Sequence, residues 1–233
     1  MMIRYIVPFP VMSAWLDSCR ITDDGALDIP YQDYIAMIRR LLEPVAVDEA
    51  WYAATYPAVG QGVARGVFPS AGFHYLAHGY FENRLPFAPE RTDARAPVPF
   101  RDIRAQTRVR AVRGELRVVM PRQALLGIVG RLLHAVPVDE AWYRQTYPGV
   151  AVAIERGGFA SAVSHYAQYG YTESRWPFAM RVEEDWYLGR YPDVRQAVAA
   201  GAVASAQEHF WRAGYREGRF PARNPIQSCL GVR

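Results

Sequence analysis

VDEAWYAATYPAVGQGVARGVFPSAGFHYLAHGYFENRLPFA, residues 47 to 88, returns as VDEAWYRQTYPGVAVAIERGGFASAVSHYAQYGYTESRWPFA at 138 to 179. It returns again as VEEDWYLGRYPDVRQAVAAGAVASAQEHFWRAGYREGRFPAR at 182 to 223. The pairs Trp51-Tyr52, Trp142-Tyr143 and Trp186-Tyr187 mark the same point in each copy, with gapless offsets of 91 and then 44 residues. A motif repeated within one chain marks a structural unit, because every copy must bury the same face against a neighbour. An active site rarely needs three copies.

Working outward, the first duplication extends upstream. At the offset of 91, Val7-Pro8-Phe9 matches Val98-Pro99-Phe100, and Pro30 matches Pro121. The apolar positions Ile35, Ile38, Leu41 and Leu42 match Leu126, Val129, Leu132 and Leu133. The expected organisation is a first unit at 1–90, a second copy at 91–180, a third repeat at 181–222 and a tail at 223–233, with a polar, proline-flanked junction at 89–97. Each large unit is expected to hold a β-hairpin, a long helix starting at Pro30 or Pro121, and three short helices. The hairpin turns are placed at Thr22 to Gly25 and at Arg113-Gly114. The fold class is α+β, mostly α. Met1 to Trp15 reads as an extended edge and as a poor signal peptide, because Pro8 and Pro10 interrupt its apolar stretch.

Within the repeat, Asp48, Asp139 and Glu183, followed by Glu49, Glu140 and Glu184, suit a helix N-terminus. Tyr-Pro at 56–57, 147–148 and 191–192 ends that helix and starts the next. Gly66, Gly157 and Gly201 stop the second helix, Ser70, Ser161 and Ser205 cap a third, and Gly79, Gly170 and Gly214 are expected to stop it. The closing Glu-x-Arg-x-Pro folds back as a turn.

This motif resembles a repeat of roughly 40 to 45 residues found in bacterial glycosyltransferases, polysaccharide-biosynthesis proteins and large surface proteins. Its pattern is an acidic residue, Tyr-Tyr-Leu, Asn-Pro-Asp-Val, a glycine, His-Tyr and Gly-x-x-Glu-Gly-Arg-x-Pro. The third copy fits best, with Trp186-Tyr187-Leu188, Tyr191-Pro192-Asp193-Val194, His209-Phe210, Gly214 and Glu217-Gly218-Arg219-Phe220-Pro221. The first copy departs at Ala58 and Asn83, the second at Gly149 and Ser174. The resemblance implies a module that accompanies a catalytic domain without being the catalyst; no glycosyltransferase motif is read here.

Composition narrows the chemistry. All 27 basic residues are arginine, which removes phosphate-loop lysines, Schiff bases and lysine general bases. Cys19 and Cys229 have no metal or disulfide spacing, so a reducing cytoplasm is the expected setting. No apolar run approaches a membrane span. The histidines His74, His165 and His209, with the pairs Glu82/Arg84, Glu173/Arg175 and Glu217/Arg219, invite an acid–base or metal reading. One histidine per repeat supplies too few ligands for zinc, so a structural role is expected, and neither cofactor nor metal is assigned. The 15 tyrosines and 6 tryptophans read mainly as packing for short helices, with a sugar-stacking platform as the alternative. Arg101, Arg104, Arg108, Arg110, Arg113 and Arg117 make the second hairpin basic, against Asp17, Asp23, Asp24 and Asp28 in the first unit. A solvated strand face is weighed there against an anion-binding or association surface.

The expected function is therefore a non-catalytic interaction or scaffold protein beside bacterial exopolysaccharide synthesis, with protein partners such as glycosyltransferases or a second copy. The alternative is a carbohydrate-binding module using exposed Tyr and Trp rings, and a small enzyme stands third. Nucleic acid is not an expected partner.

Overall fold

The computed structural model describes residues 5–223. It is α+β and mostly α, with short helices and one small antiparallel sheet among the described residues. The elements run α1 (Phe9–Ser18), β1 (Arg20–Ile21), β2 (Leu27–Pro30), α2 (Tyr31–Leu42), then repeat 1 as α3 (Glu49–Thr55), α4 (Pro57–Ala64) and α5 (Ala71–His74). The second copy runs α6 (Phe100–Arg104), β3 (Val109–Val112), β4 (Glu115–Met120), α7 (Arg122–Leu133), then α8 (Glu140–Thr146), α9 (Pro148–Glu155) and α10 (Ala162–His165). Repeat 3 supplies α11 (Glu184–Arg190), α12 (Pro192–Ala199) and α13 (Ala206–His209). Each third helix continues into a π-helical turn, at Tyr75–Gly79, Tyr166–Gly170 and Phe210–Gly214.

Among the described residues, two compact units cut across the sequence duplication: residues 18–137, and residues 5–17 with 138–223. In residues 18–137 the sheet has the order β1-β2-β4-β3. The central strands pair Leu27 with Met120, Asp28 with Val119 and Ile29 with Val118. Shifting each residue of the first copy by 91 turns this register into its own reverse, so the two copies meet about a local twofold axis through Asp28 and Val119. Leu27, Ile29, Val118 and Met120 are buried on one face, where α2 packs on β2, β4 and α7. Tyr34, also buried, shares a hydrogen bond with Thr107 at 3.0 Å.

The unit of residues 5–17 and 138–223 is built on aromatic contacts. The rings of Tyr143, Tyr166, Tyr171, Tyr187, Phe210 and Tyr215 are buried. Tyr5 lies 4.9 Å from Phe220 and 6.1 Å from Tyr215, and Phe9 lies 5.8 Å from Tyr171. The same ring relation recurs in residues 18–137, where Phe100 lies 5.9 Å from Tyr80.

Three sequence expectations change. Residues 9–18 form a helix instead of an extended edge. The two prolines are compatible with it because Pro8 accepts the first amide bonds, from Val11 and Met12, and Pro10 sits in the first turn, where an N–H has no partner to lose. The gapless offset hides a redistribution of residues: α1 has 10 residues and α6 has 5, while β1 has 2 and β3 has 4. Chain length between the conserved prolines is kept, but in one copy it is spent on helix and in the other on a longer hairpin. Finally, Pro30 and Pro121 precede α2 and α7 as extended N-cap residues and are not inside the first turn.

Candidate functional site: the repeat interior and the hairpin surface

The recurring residues form one hydrogen-bonded assembly, repeated three times. Tyr52, Tyr143 and Tyr187 place their hydroxyls 3.2, 3.0 and 3.1 Å from Nδ1 of His74, His165 and His209. Close approach of these hydroxyls explains the glycines at 79, 170 and 214: a Cβ at any of them would fall inside the radius of the tyrosine oxygen. These glycines are the last residues of the π-helical turns, and what they supply there is clearance, not a left-handed stop. The left-handed residue that ends the segment comes later, at Asn83, Ser174 and Gly218, with φ of 58°, 58° and 75°. Gly218 meets a further demand, because a Cβ there would lie 2.7 Å from Val11.

Glu49, Glu140 and Glu184 reach across to the third helix and accept from the backbone of Ala71 at 2.7 Å, Ala162 at 2.9 Å and Ala206 at 2.9 Å. Ser70, Ser161 and Ser205 cap the same helices. Asp48 and Asp139 cap α3 and α8 with their side chains, whereas Glu183 makes no such bond on α11. The returning turn is tied to the first helix by backbone donation from Asp48, Asp139 and Glu183 to the carbonyls of Pro86, Pro177 and Pro221. Arg84, Arg175 and Arg219 pair with Glu82, Glu173 and Glu217 at 2.6, 2.5 and 2.6 Å. Their guanidinium groups lie 4.7, 4.7 and 4.9 Å from the ring centres of Tyr56, Tyr147 and Tyr191. In repeat 3 Arg219 also binds Asp193 at 2.8 Å, a partner that Ala58 and Gly149 do not supply in the other copies.

Burial holds all three histidines below their ordinary pKa, with the neighbouring arginine acting in the same direction. Burial also pushes the hydroxyls of Tyr52, Tyr143 and Tyr187 well above the tyrosine range. Both partners are thus neutral at pH 7, and the tyrosine is moved away from the range useful for proton transfer. Among the described residues, no group of three or more His, Cys, Asp or Glu is placed to hold a metal ion. Trp51, Trp142 and Trp186 are half-buried and stand edge-on to Tyr56, Tyr147 and Tyr191 at 87°, 86° and 87°. They present no coplanar pair.

The charged hairpin residues separate into two sets. Arg117 and Asp28 face each other within the sheet: Arg117 Nε donates to Asp28 Oδ1 at 2.6 Å and Nη2 to the Asp28 carbonyl at 3.0 Å. Asp28 is only 7% exposed, so this pair belongs to the joint between the two hairpins. Arg20 adds a longer contact to Asp28, at 3.8 Å. Asp24 is held below the usual carboxylate range, first by the Thr22 hydroxyl and more weakly by Arg110. In contrast, Arg108, Arg110, Arg113, Asp23 and Asp24 are exposed. Residues 110–116 form an unbroken exposed run that includes Leu116 at 54%. The turn at its tip has φ of 51° at Arg113 and 85° at Gly114, the signature of a two-residue I′ hairpin. Arg104 donates to the Thr107 carbonyl at 3.1 Å, and Arg101 lies 3.8 Å from Asp102. Asp17, near the end of α1, is exposed.

The inter-helix role of Glu49, Glu140 and Glu184 and the hairpin joint escape a sequence reading. The invariant spacing of 22 residues between each glutamate and its donor alanine, identical in all copies, is the signal that points to the first. The chain matches no protein-family model, no curated protein and no solved structure. No helix among the described residues is long and apolar enough to cross a membrane.

Proposed function

We propose that this is a non-catalytic interaction protein, a rigid repeat scaffold that presents the basic hairpin arm β3–β4 to an acidic protein surface. The observation that carries the reading is the division of labour among its residues. The side chains that recur are engaged in internal caps, clearances and ring contacts, whereas residues 110–116, which differ between copies, are exposed along the edge strand β3, its turn and the start of β4. Such an edge offers unpaired backbone groups for strand addition, and its arginines set the sign of the partner.

The partners that suit it are a second copy, through the acidic Asp23-Asp24 turn, and the polysaccharide-synthesis machinery implied by the resemblance of the repeat, with the cytoplasm as the setting. Carbohydrate binding by the repeated tryptophans is disfavoured by their edge-on packing within each repeat.

The test is reversal of Arg108, Arg110 and Arg113 to Glu, sparing the buried Arg117. The expected result is loss of self-association by light scattering, or of partner recovery from the native host, with an unchanged melting temperature. The effect should be strongest at low salt. Unchanged mass together with unchanged recovery would refute the reading.

A further inference from the structure

One position of the repeat behaves differently in the third copy. Leu76 in repeat 1 is 3% exposed and Ala167 in repeat 2 is 8% exposed, but the equivalent Trp211 is 60% exposed. In repeat 1 this face lies under α2, which packs on the π-helical turn. Arg39 of α2 donates to the Ala77 carbonyl at 2.9 Å and stands 5.2 Å from the Phe81 ring centre. Repeat 3 follows repeat 2 directly, with no long helix between them. Its cover is Trp176, whose ring centre lies 5.4 Å from Phe210 and 5.3 Å from Tyr215 and which meets Trp211 edge-on at 5.9 Å. That edge contact leaves most of the Trp211 ring exposed.

The face also gains charge in repeat 3. Arg212 stands where repeat 1 has Ala77 and Arg216 where it has Phe81; both are exposed, and Arg212 is held by Glu208 at 2.8 Å. In repeat 1 the covering helix brings the arginine to an apolar and aromatic surface. In repeat 3 the surface brings the arginines and the tryptophan.

We infer that the Trp211–Arg212–Arg216 face of repeat 3 is a docking site for an amphipathic helix of a partner protein. That helix covers Trp211 with its apolar stripe, as α2 covers Leu76, and carries carboxylates where α2 carries Arg39 and Arg40. The inference rests on the reading of the chain as an interaction protein, and it adds a second contact independent of the hairpin. Large amphipathic rings with adjacent arginines are the usual anchors of such interfaces.

The probe is a synthetic peptide of the α2 sequence, Pro30 to Glu43, carrying Arg39→Glu and Arg40→Glu, with the unaltered peptide as reference. Binding to the full chain is read by fluorescence anisotropy of the labelled peptide. The acidic peptide is expected to bind about tenfold more tightly than the unaltered one. Trp211→Ala should weaken the acidic peptide by about the same factor, and Arg212→Ala with Arg216→Ala should bring the two peptides level. Equal binding of both peptides to the unmodified chain, binding that survives Trp211→Ala, or no binding of either would overturn the inference. So would displacement of the peptide by cellohexaose, which would make the face a saccharide site. If Trp211 governs the peptide while reversal of the hairpin arginines changes nothing, this site stands and the hairpin reading falls.

Discussion

The repeats and the hairpins respond to duplication in opposite ways. Across three repeats the Tyr–His distances stay within 3.0 to 3.2 Å, and each turn returns to the same first helix. Across two hairpins the partition between helix and strand shifts and the charge changes sign, while the prolines at either end keep their places. A closed hydrogen-bonded assembly tolerates little change, because losing one member leaves buried polar atoms unsatisfied. A hairpin paired on only one edge is held mainly by its buried face, so its tip and outer edge are free to diverge. The two copies even meet across their difference, since Asp28 on the local twofold faces Val119, its own counterpart. Two aspartates at those positions would place like charges directly opposite each other.

The largest expected effect breaks the one place where hairpin divergence has become structural. Arg117→Ala leaves Asp28 buried without its close partner and should cost about 3 to 5 kcal/mol, measured by chemical denaturation. The double change Asp28→Val and Arg117→Leu restores the apolar symmetry of Val119 and should recover most of that loss. If the single change proves neutral, the hairpins are not joined through this pair.

Gly170→Ala strikes the repeat interior, pressing a methyl group into the Tyr143 hydroxyl, and should cost about 3 kcal/mol. Gly127→Ala in α7, where a Cβ meets nothing within 4 Å, should stabilise by up to about 1 kcal/mol. Equal effects at the two glycines would remove the clearance argument.

His165→Ala should cost about 2 kcal/mol from the unpaired hydroxyl it leaves, and it sharpens the comparison through pH. The folded state holds His74, His165 and His209 below their ordinary pKa, so the unfolded chain binds protons first as pH falls. Their contribution is complete above the ordinary histidine value of about 6.5 and is lost as pH drops from there through the folded value. The melting temperature should therefore fall below about pH 6.5, less steeply in His165→Ala. A profile flat down to the carboxylate range would contradict this.

The smallest effect concerns the hydroxyl of Tyr166, which is buried with no hydrogen-bond partner. Tyr166→Phe should be neutral or slightly stabilising, since repeat 3 already places Phe210 there. A loss above about 1 kcal/mol would reveal a partner for that hydroxyl.

Much of the repeat was legible because its signals are local. Pro57, Pro148 and Pro192 begin helices, Gly66, Gly157 and Gly201 adopt positive φ, and Ser70, Ser161 and Ser205 cap, as a single stretch of chain dictates. The hairpin turns were legible for the same reason. What was not legible depends on contacts distant in sequence. Gly79 near a helix end looks like a stop until the Tyr52 hydroxyl is brought over it, and Glu49 looks like a first-turn charge until α5 packs beside it. Pro8 and Pro10 resemble breakers because proline at a helix start and proline in a loop are locally alike. The Arg117–Asp28 joint, 89 residues apart, removes two members from a charge pattern that otherwise reads as one surface.

Under the proposed function, association is carried by what differs between copies and not by what recurs. Amide hydrogen exchange on the intact chain, compared between concentrated low-salt and dilute high-salt solution, tests it directly. Added protection is expected under associating conditions at 108–116 and at the 22–25 turn, with α3, α8 and α11 unchanged. Protection gained in those repeat helices, or no difference anywhere along the chain, would contradict it.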